Sequence, residues 1–417
     1  MILKTILNRV HKLKSFVYGA TTMVETEQGL EIEVEVAARK NSKAQCSSCG
    51  YRCAGYDHLP QRRYEFIPLW GMRVFLVYSP RRVNCPRCGI IVEQLPWASG
   101  KCQETIPYKL FLAHWAKKLS WQEVATQFNT TWEQVFAAIE YVVSWGLEHR
   151  DLSDVTALGV DEISTKKGHH YATLVYQLDQ GRRRLLWIGQ KRTSKTLLRF
   201  FRDMGPEFAQ NIKYICSDMW APYLKVIKKK LPHAIHILDR FHIVANLNKA
   251  LDKVRAQEAK KLAADGYEPI LNGSRWCFLK KQASLTQHQN YTLRELLKYN
   301  LKTVRAYLLK EDFQQLWIYT SPLWAGKFLD AWCNRAMRSK IKPFKTQARS
   351  LRIHKQLILN WFRAKKSLNS GIVEGLNAKA KLTIRKAFGF RTSHALNIAL
   401  FHQLGHLPQP PLAHKFF

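Results

Sequence analysis

For its length, this chain has little negative charge. It carries 31 Asp and Glu residues among 417, against 66 Lys and Arg, for a formal net charge of +35. That excess goes beyond what solubility requires. It points to a polyanionic partner and to binding that weakens steeply with salt. Long apolar runs are also missing: nothing approaches 18 uninterrupted residues, and the N-terminus shows no secretory apolar segment with a cleavage site. No membrane association is therefore expected, and a cytoplasmic location is. Cysteine is scarce, at nine residues. Four of them form two CxxC pairs and the others are scattered, which is unlike a secreted disulfide framework. Apolar residues, at 46%, suffice for two or three domains with real cores.

Three acidic residues stand where a phosphoryl-transfer site would want them: Asp161 in ALGVDE, Asp218 in YICSDMW and Glu374 in SGIVEGLN. The aspartates interrupt or follow apolar strand-like runs, and the glutamate lies in the first turn of an expected helix. Carboxylates that converge from separate elements repel one another and favour a divalent ion between them. Hard oxygen donors of this kind suit Mg²⁺ or Mn²⁺. Two such ions can activate an attacking oxygen and stabilise a leaving one. In a chain this basic, the phosphate is expected to belong to nucleic acid.

The first segment, 1–100, reads as a zinc-ribbon module. Strand-like alternation at 30–36 leads into Cys46 and Cys49, and the stretch Met72–Tyr78 leads into Cys85 and Cys88. Each CxxC places two thiolates on one tight knuckle, and two knuckles close a tetrahedral Zn²⁺ site. The 35 residues between the pairs require a hairpin. Cys53 lies near enough in sequence to compete as a ligand. Segment 101–150 reads as helices. Ser120 with Glu123, and Thr130 with Glu133, fit capping boxes opening at Trp121 and Trp132, a helix-turn-helix pattern.

Segment 151–240 turns to β: strands at 156–163, 170–178 and 184–188, a helix at 194–208, a strand at 212–217, a helix at 222–230 and a strand at 234–238. This order suits a mixed sheet with helices on its faces, an α/β domain. Segment 241–368 is helical, with Ile243, Leu247, Leu251 and Val254, then Leu293, Leu297, Leu301 and Val304, at helical spacing. Its tryptophans (Trp276, Trp317, Trp324, Trp332) are assigned to packing. The basic residues from Arg335 to Lys355 are read as a track for a nucleic-acid backbone. In 369–417, Asn369-Ser370-Gly371 punctuates before the Glu374 helix. There Glu374, Asn377 and Lys381 share a face, and the proline-bearing tail after Gly405 is expected to be loose.

These blocks closely resemble the DDE transposases of bacterial insertion sequences, specifically the IS-L-three family. The resemblance rests on the two CxxC knuckles, LSWQEVATQF, LGVDEISTKKGHHYATLVYQLD, CSDMWAPY, ILDRFH and SGIVEGLNAKAKLTIRKAFGFR. It implies a ribonuclease H-like catalytic domain interrupted by the helical segment, with Asp161, Asp218 and Glu374 as catalytic Mg²⁺ ligands. The implied reaction is cleavage at the element's ends followed by strand transfer. The implied partners are double-stranded DNA (terminal inverted repeats and target) and a second copy of the chain, in a nucleoid-associated setting. Asp239 and His242 match a pair that follows the second aspartate in many such transposases; they would orient a flipped base or a substrate strand, or simply bond each other at a helix start. Lys381 and Arg385 would contact DNA phosphate. Strand alternation turns Glu162 away from Asp161, so it is not expected as a ligand.

Two other readings compete. A DNA-binding regulator using the zinc ribbon and helix-turn-helix alone has no reason to keep three carboxylates near a polyanion. A junction-type nuclease on the same fold has no need of the appended DNA-reading modules.

Overall fold

A computed structural model describes residues 3–27, 29–166, 168, 170–364 and 371–411. The chain divides into two compact units, Met1–Arg150 with Thr383–Phe417, and Asp151–Leu382. Residues from Thr383 on thus pack with the N-terminal unit, not with the sheet as the sequence reading grouped them. Residues 369 and 370 of the expected punctuation lie outside the described residues.

The first unit opens with a four-stranded sheet, ordered Phe16–Thr26, Gly29–Ala38, Met72–Tyr78, Arg62–Leu69. Ile32, Val34 and Val36 point into its core, as alternation demands. Trp97 fills that core with its ring edge-on to Phe16, Tyr64 and Tyr78. The expected hairpin between the cysteine pairs is Arg62–Leu69 with Met72–Tyr78. It turns on Trp70 and Gly71, both at positive φ (51° and 81°), the twist that two-residue hairpin loops favour.

Helices Ile106–Trp115, Trp121–Gln127 and Trp132–Glu148 follow, with Ser393–Leu404 packed on the last. The Ser120–Glu123 capping box forms as expected. The second box belongs to Thr131 and Gln134, one residue later than expected. The reason is local: Thr130 N–H is spent on the Ala125 carbonyl, closing the previous helix at 2.9 Å. The expected looseness after Gly405 does not hold for the described part of the tail. Leu407 lies against Gly146, and Pro410 is buried.

The second unit is built on a five-stranded mixed sheet, ordered Arg184–Gln190, His170–Gln177, Ala157–Lys166, Tyr214–Ser217, Ile235–Leu238. Each of the first three strands runs antiparallel to its neighbour, and the last two run parallel to the central one. Leu158 and Val160 on one face of the central strand pack with Leu197, Phe200, Tyr223 and Ile227 of helices Ser194–Asn211 and Ala221–Lys230. Gly205, at φ 83° before Pro206, breaks the first of these helices, which runs three residues beyond its expected end.

From Arg240 the chain forms a helical region with its own core, in which Ile243, Leu247, Leu251 and Val254 are buried as their spacing requires. The second leucine series does not lie on one helix. Gln287–Leu297 ends, and Lys302–Gln314 begins afresh with its first N–H groups bonded to Glu258. Trp317 and Trp332 are buried, whereas Trp276 and Trp324 are more than half exposed, so packing accounts for only two of the four. Among the described residues no helix is long and apolar enough to cross a membrane.

Candidate functional site

The central strand has two faces, and Asp161 and Glu162 stand on opposite ones. On the Asp161 face lies helix Gly371–Lys386. Its residue Val373 sits so close to Gly159 that an added Cβ there would meet Val373 Cγ2 at 2.8 Å. One turn on, Asn377 donates its amide to Asp161 Oδ2 at 2.6 Å and accepts from the Tyr176 hydroxyl at 2.8 Å. Val373, Leu376, Asn377 and Ala380 form the buried stripe of this helix. Glu374 and Lys381 are exposed, so the face expected to carry all three holds only Asn377 inward. Arg385 is also exposed. Glu374 precedes Asn377 by three residues, a spacing that brings side chains within about 5–6 Å along a helix.

Asp218 follows the neighbouring strand. The parallel register pairs Leu158 with Ile215 and Gly159 with Cys216; carried two residues further, it brings Asp161 beside Asp218. The Asp218 carboxylate accepts from Trp220 N–H at 3.0 Å and from Arg192 Nη2 at 2.7 Å. Arg192 also donates through Nε to Glu162 at 2.9 Å. Glu162 faces away from Asp161, as expected, yet Arg192 ties it to Asp218. Burial first, then the charge of Asp218, pushes its carboxyl up to about 7.

Asp239 caps helix Arg240–Ala264, accepting from Phe241 N–H at 2.7 Å. His242 Nε2 lies 3.8 Å from Asp239 and 3.7 Å from Asp161. Asp239 is thus a helix cap, and His242 stands near both Asp239 and Asp161. The Asp161 carboxylate, followed by the charges of Asp239 and Asp218, raises the His242 pKa against the opposing effect of burial.

The acidic group thus comprises Asp161, Glu162, Asp218 and Asp239, opposed by Arg192 and His242. Carboxylates outnumber the cations here, an excess that a divalent cation would offset, and every acidic donor is a hard oxygen. As folded, the Asp161, Asp218 and Glu374 carboxylates do not converge to ligand spacing. Among the described residues, the four cysteines Cys46, Cys49, Cys85 and Cys88 are the one group of three or more potential ligands lying within 4.8 Å of one another.

Those cysteines sit on two short hairpins, Ala44–Gln45 with Arg52–Cys53 and Arg81–Cys85 with Gly89–Val92. Each CxxC is followed by a glycine at positive φ, Gly50 (70°) and Gly89 (75°), which turns the chain off the knuckle. Cys49 and Cys85 sulfurs are 3.6 Å apart, near the spacing of about 3.8 Å set by a tetrahedral ion with Zn–S bonds of about 2.3 Å. The Arg87 N–H chiefly, helped by that of Cys88 and opposed by burial, lowers the Cys85 pKa to about 6, favouring the thiolate a metal requires. Cys53 lies outside the four; its sulfur faces the Tyr51 carbonyl at 3.4 Å.

Sequence reasoning missed Arg192, Tyr176 and the role of Asn377. Only Asn377 left a signal, its helical spacing from Glu374.

Comparison with known proteins follows the same segment. The family model of the IS-L-three DDE transposases, described as "Transposase", matches residues 158–400. The transposase for insertion sequence element IS1001 of Bordetella parapertussis is 32% identical over 83% of this chain and 85% of its own. The transposase for insertion sequence element IS1557 of Mycobacterium tuberculosis is 30% identical over 93% of this chain and 92% of its own.

Proposed function

This chain belongs to the IS-L-three family of DDE transposases, and on that premise we propose that it cuts DNA at element ends and joins them to target DNA. Asp161, Asp218 and Glu374 would hold Mg²⁺ or Mn²⁺, which when bound activates an attacking oxygen and stabilises a leaving one. Water would first free a 3′-hydroxyl at the element's end, and that hydroxyl would then attack a target phosphodiester. The chain's own part is positioning and charge. Asn377 fixes the Asp161 carboxylate, His242 balances it, and Lys381 and Arg385 are available to DNA phosphate.

The observation that carries this reading is the bond from Asn377 to Asp161, one turn from Glu374, with Asp218 entering from the adjacent strand. The strand order, with three antiparallel strands on one side and two further strands parallel to the central one on the other, supports a ribonuclease H-like sheet into which the helical region from Arg240 is inserted. Helices Trp121–Gln127 and Trp132–Glu148 support a helix-turn-helix for the terminal repeats, and the four cysteines a structural Zn²⁺ ribbon. Joining two ends calls for at least two copies of the chain.

The test is incubation with duplex carrying the terminal inverted repeats, in Mg²⁺ or in EDTA, beside Asp161→Ala, Asp218→Ala and Glu374→Ala. Mg²⁺-dependent cleavage and joined product are expected, lost in each variant while duplex binding persists. Binding without cleavage by the unaltered chain in both Mg²⁺ and Mn²⁺ would favour a DNA-binding regulator instead.

A further inference from the structure

Arg192 follows the third strand of the mixed sheet and holds the most conspicuous position at the site that the chemistry above leaves unused. Its Nη2 is 2.7 Å from Asp218 and its Nε 2.9 Å from Glu162. The guanidinium carbon lies 4.5 Å from the centre of the Trp220 ring. The Asp218 and Glu162 side chains are nearly buried, and about a third of the arginine side chain remains exposed. Both oxygens of Asp218 are engaged, one by Trp220 N–H and one by Arg192. A metal ion reaching Asp218 must therefore compete with a cation already seated there.

The seat has more supports than neutralising Asp218 needs. One carboxylate would serve that purpose. Here a second, more buried carboxylate and an indole face hold the same guanidinium, so it stays anchored if Asp218 turns away. Glu162 is kept in turn: besides Arg192 it lies within reach of the Tyr223 hydroxyl, which bonds Thr173 at 2.8 Å. Losing Asp218 would free Nη2 while Nε remains held. A planar guanidinium anchored by one edge with donors free on the other matches a phosphate oxygen pair.

We propose that Arg192 is a positioning residue with two settings. Without metal it occupies the cation's place on Asp218; once a divalent ion claims Asp218, Arg192 stays on Glu162 and Trp220 and turns its free Nη donors to a DNA phosphate. This rests on the metal-binding reading of Asp218 given above.

Calorimetric titration with Mn²⁺ and no DNA tests the first setting. Arg192→Gln should bind Mn²⁺ more tightly than the unaltered chain, by roughly fivefold, because the competitor is gone. Arg192→Lys should stay near the unaltered value, since a cation is restored. Unchanged affinity in Arg192→Gln would make the arginine a purely structural tie and overturn the inference. If the unaltered chain shows no saturable Mn²⁺ binding that Asp218→Asn weakens, the metal reading fails first and takes this inference with it.

The second setting is read from the salt dependence of binding to duplex that lacks the terminal repeats. With Mn²⁺ present, Arg192→Gln should flatten the slope of log affinity against log salt by about 0.9, one phosphate contact; without metal it should leave the slope unchanged. Equal slopes with metal present would remove the phosphate role.

Discussion

The Asn377 amide donates to Asp161 across 216 residues of sequence, at 2.6 Å. This hydrogen bond fastens the Glu374 helix to the strand that carries the first aspartate. It also fixes one carboxylate oxygen, while the Glu162 N–H holds the other at 2.8 Å.

Asn377→Ala should therefore leave two partners unsatisfied, the part-buried Asp161 Oδ2 and the buried Tyr176 hydroxyl. The expected loss is about 2 kcal/mol of stability. Tyr176→Phe removes only the outer bond and should cost about 1 kcal/mol. Urea unfolding of both variants checks the order; equal costs would mean the Asp161 bond adds nothing.

Gly159 is a point of close approach between helix and strand. In Gly159→Ala the new methyl meets the stiff, β-branched Val373 at 2.8 Å and Leu178 methyls at 3.0 and 3.1 Å. Overpacking should cost about 1–3 kcal/mol and reduce strand cleavage. Val373→Ala in the same chain should recover part of both losses, and a double-mutant cycle reads the coupling.

The cysteine module should depend on its ion. Its buried cluster consists of Ala44, Cys46, Cys53, Val83 and Cys85, with Ile91 packed alongside. That is too small to stand alone. The purified chain should hold one zinc by elemental analysis. Chelation, or Cys46→Ser, should release it and remove amide-exchange protection from residues 44–53 and 81–92, while the mixed sheet stays protected.

Acid should loosen both units. Burial lowers His11 and His236 to about 4 and His402 to about 3. Each stays neutral in the fold while the unfolded chain takes up a proton below about 6.5. Stability from these groups is complete above that pH and falls as pH drops toward 4. Each should contribute up to about 1.4 kcal/mol per pH unit over that window. His242 acts in the opposite sense: its raised pKa adds stability at low pH that is lost on going up. His236→Gln should flatten the acid limb of the mixed-sheet unit's unfolding curve between pH 4 and 6.5.

Much of the architecture was legible because it is local. The apolar run Met72–Tyr78 and the three antiparallel strands end within a few residues of where their patterns end. The misses have particular causes. The second capping box falls on Thr131 and not on the expected Thr130, whose N–H is bonded to the Ala125 carbonyl. The break between Leu297 and Lys302 depends on Glu258, which caps the second helix from 44 residues away. At the site, the acids announced themselves through their strand and helix settings. Arg192 did not, because its partners Glu162 and Asp218 come from different strands and nothing in its own segment names them.

The order in which the site's parts arrive along the chain has a biosynthetic consequence. On a ribosome both aspartates and the helical region emerge well before residue 374, and helix Ser393–Leu404, which packs on Trp132–Glu148, emerges later still, so a prematurely terminated product lacks Glu374 and also leaves part of its N-terminal core uncovered. Frameshifts late in the gene should therefore yield products whose N-terminal unit is less stable than that of the intact chain.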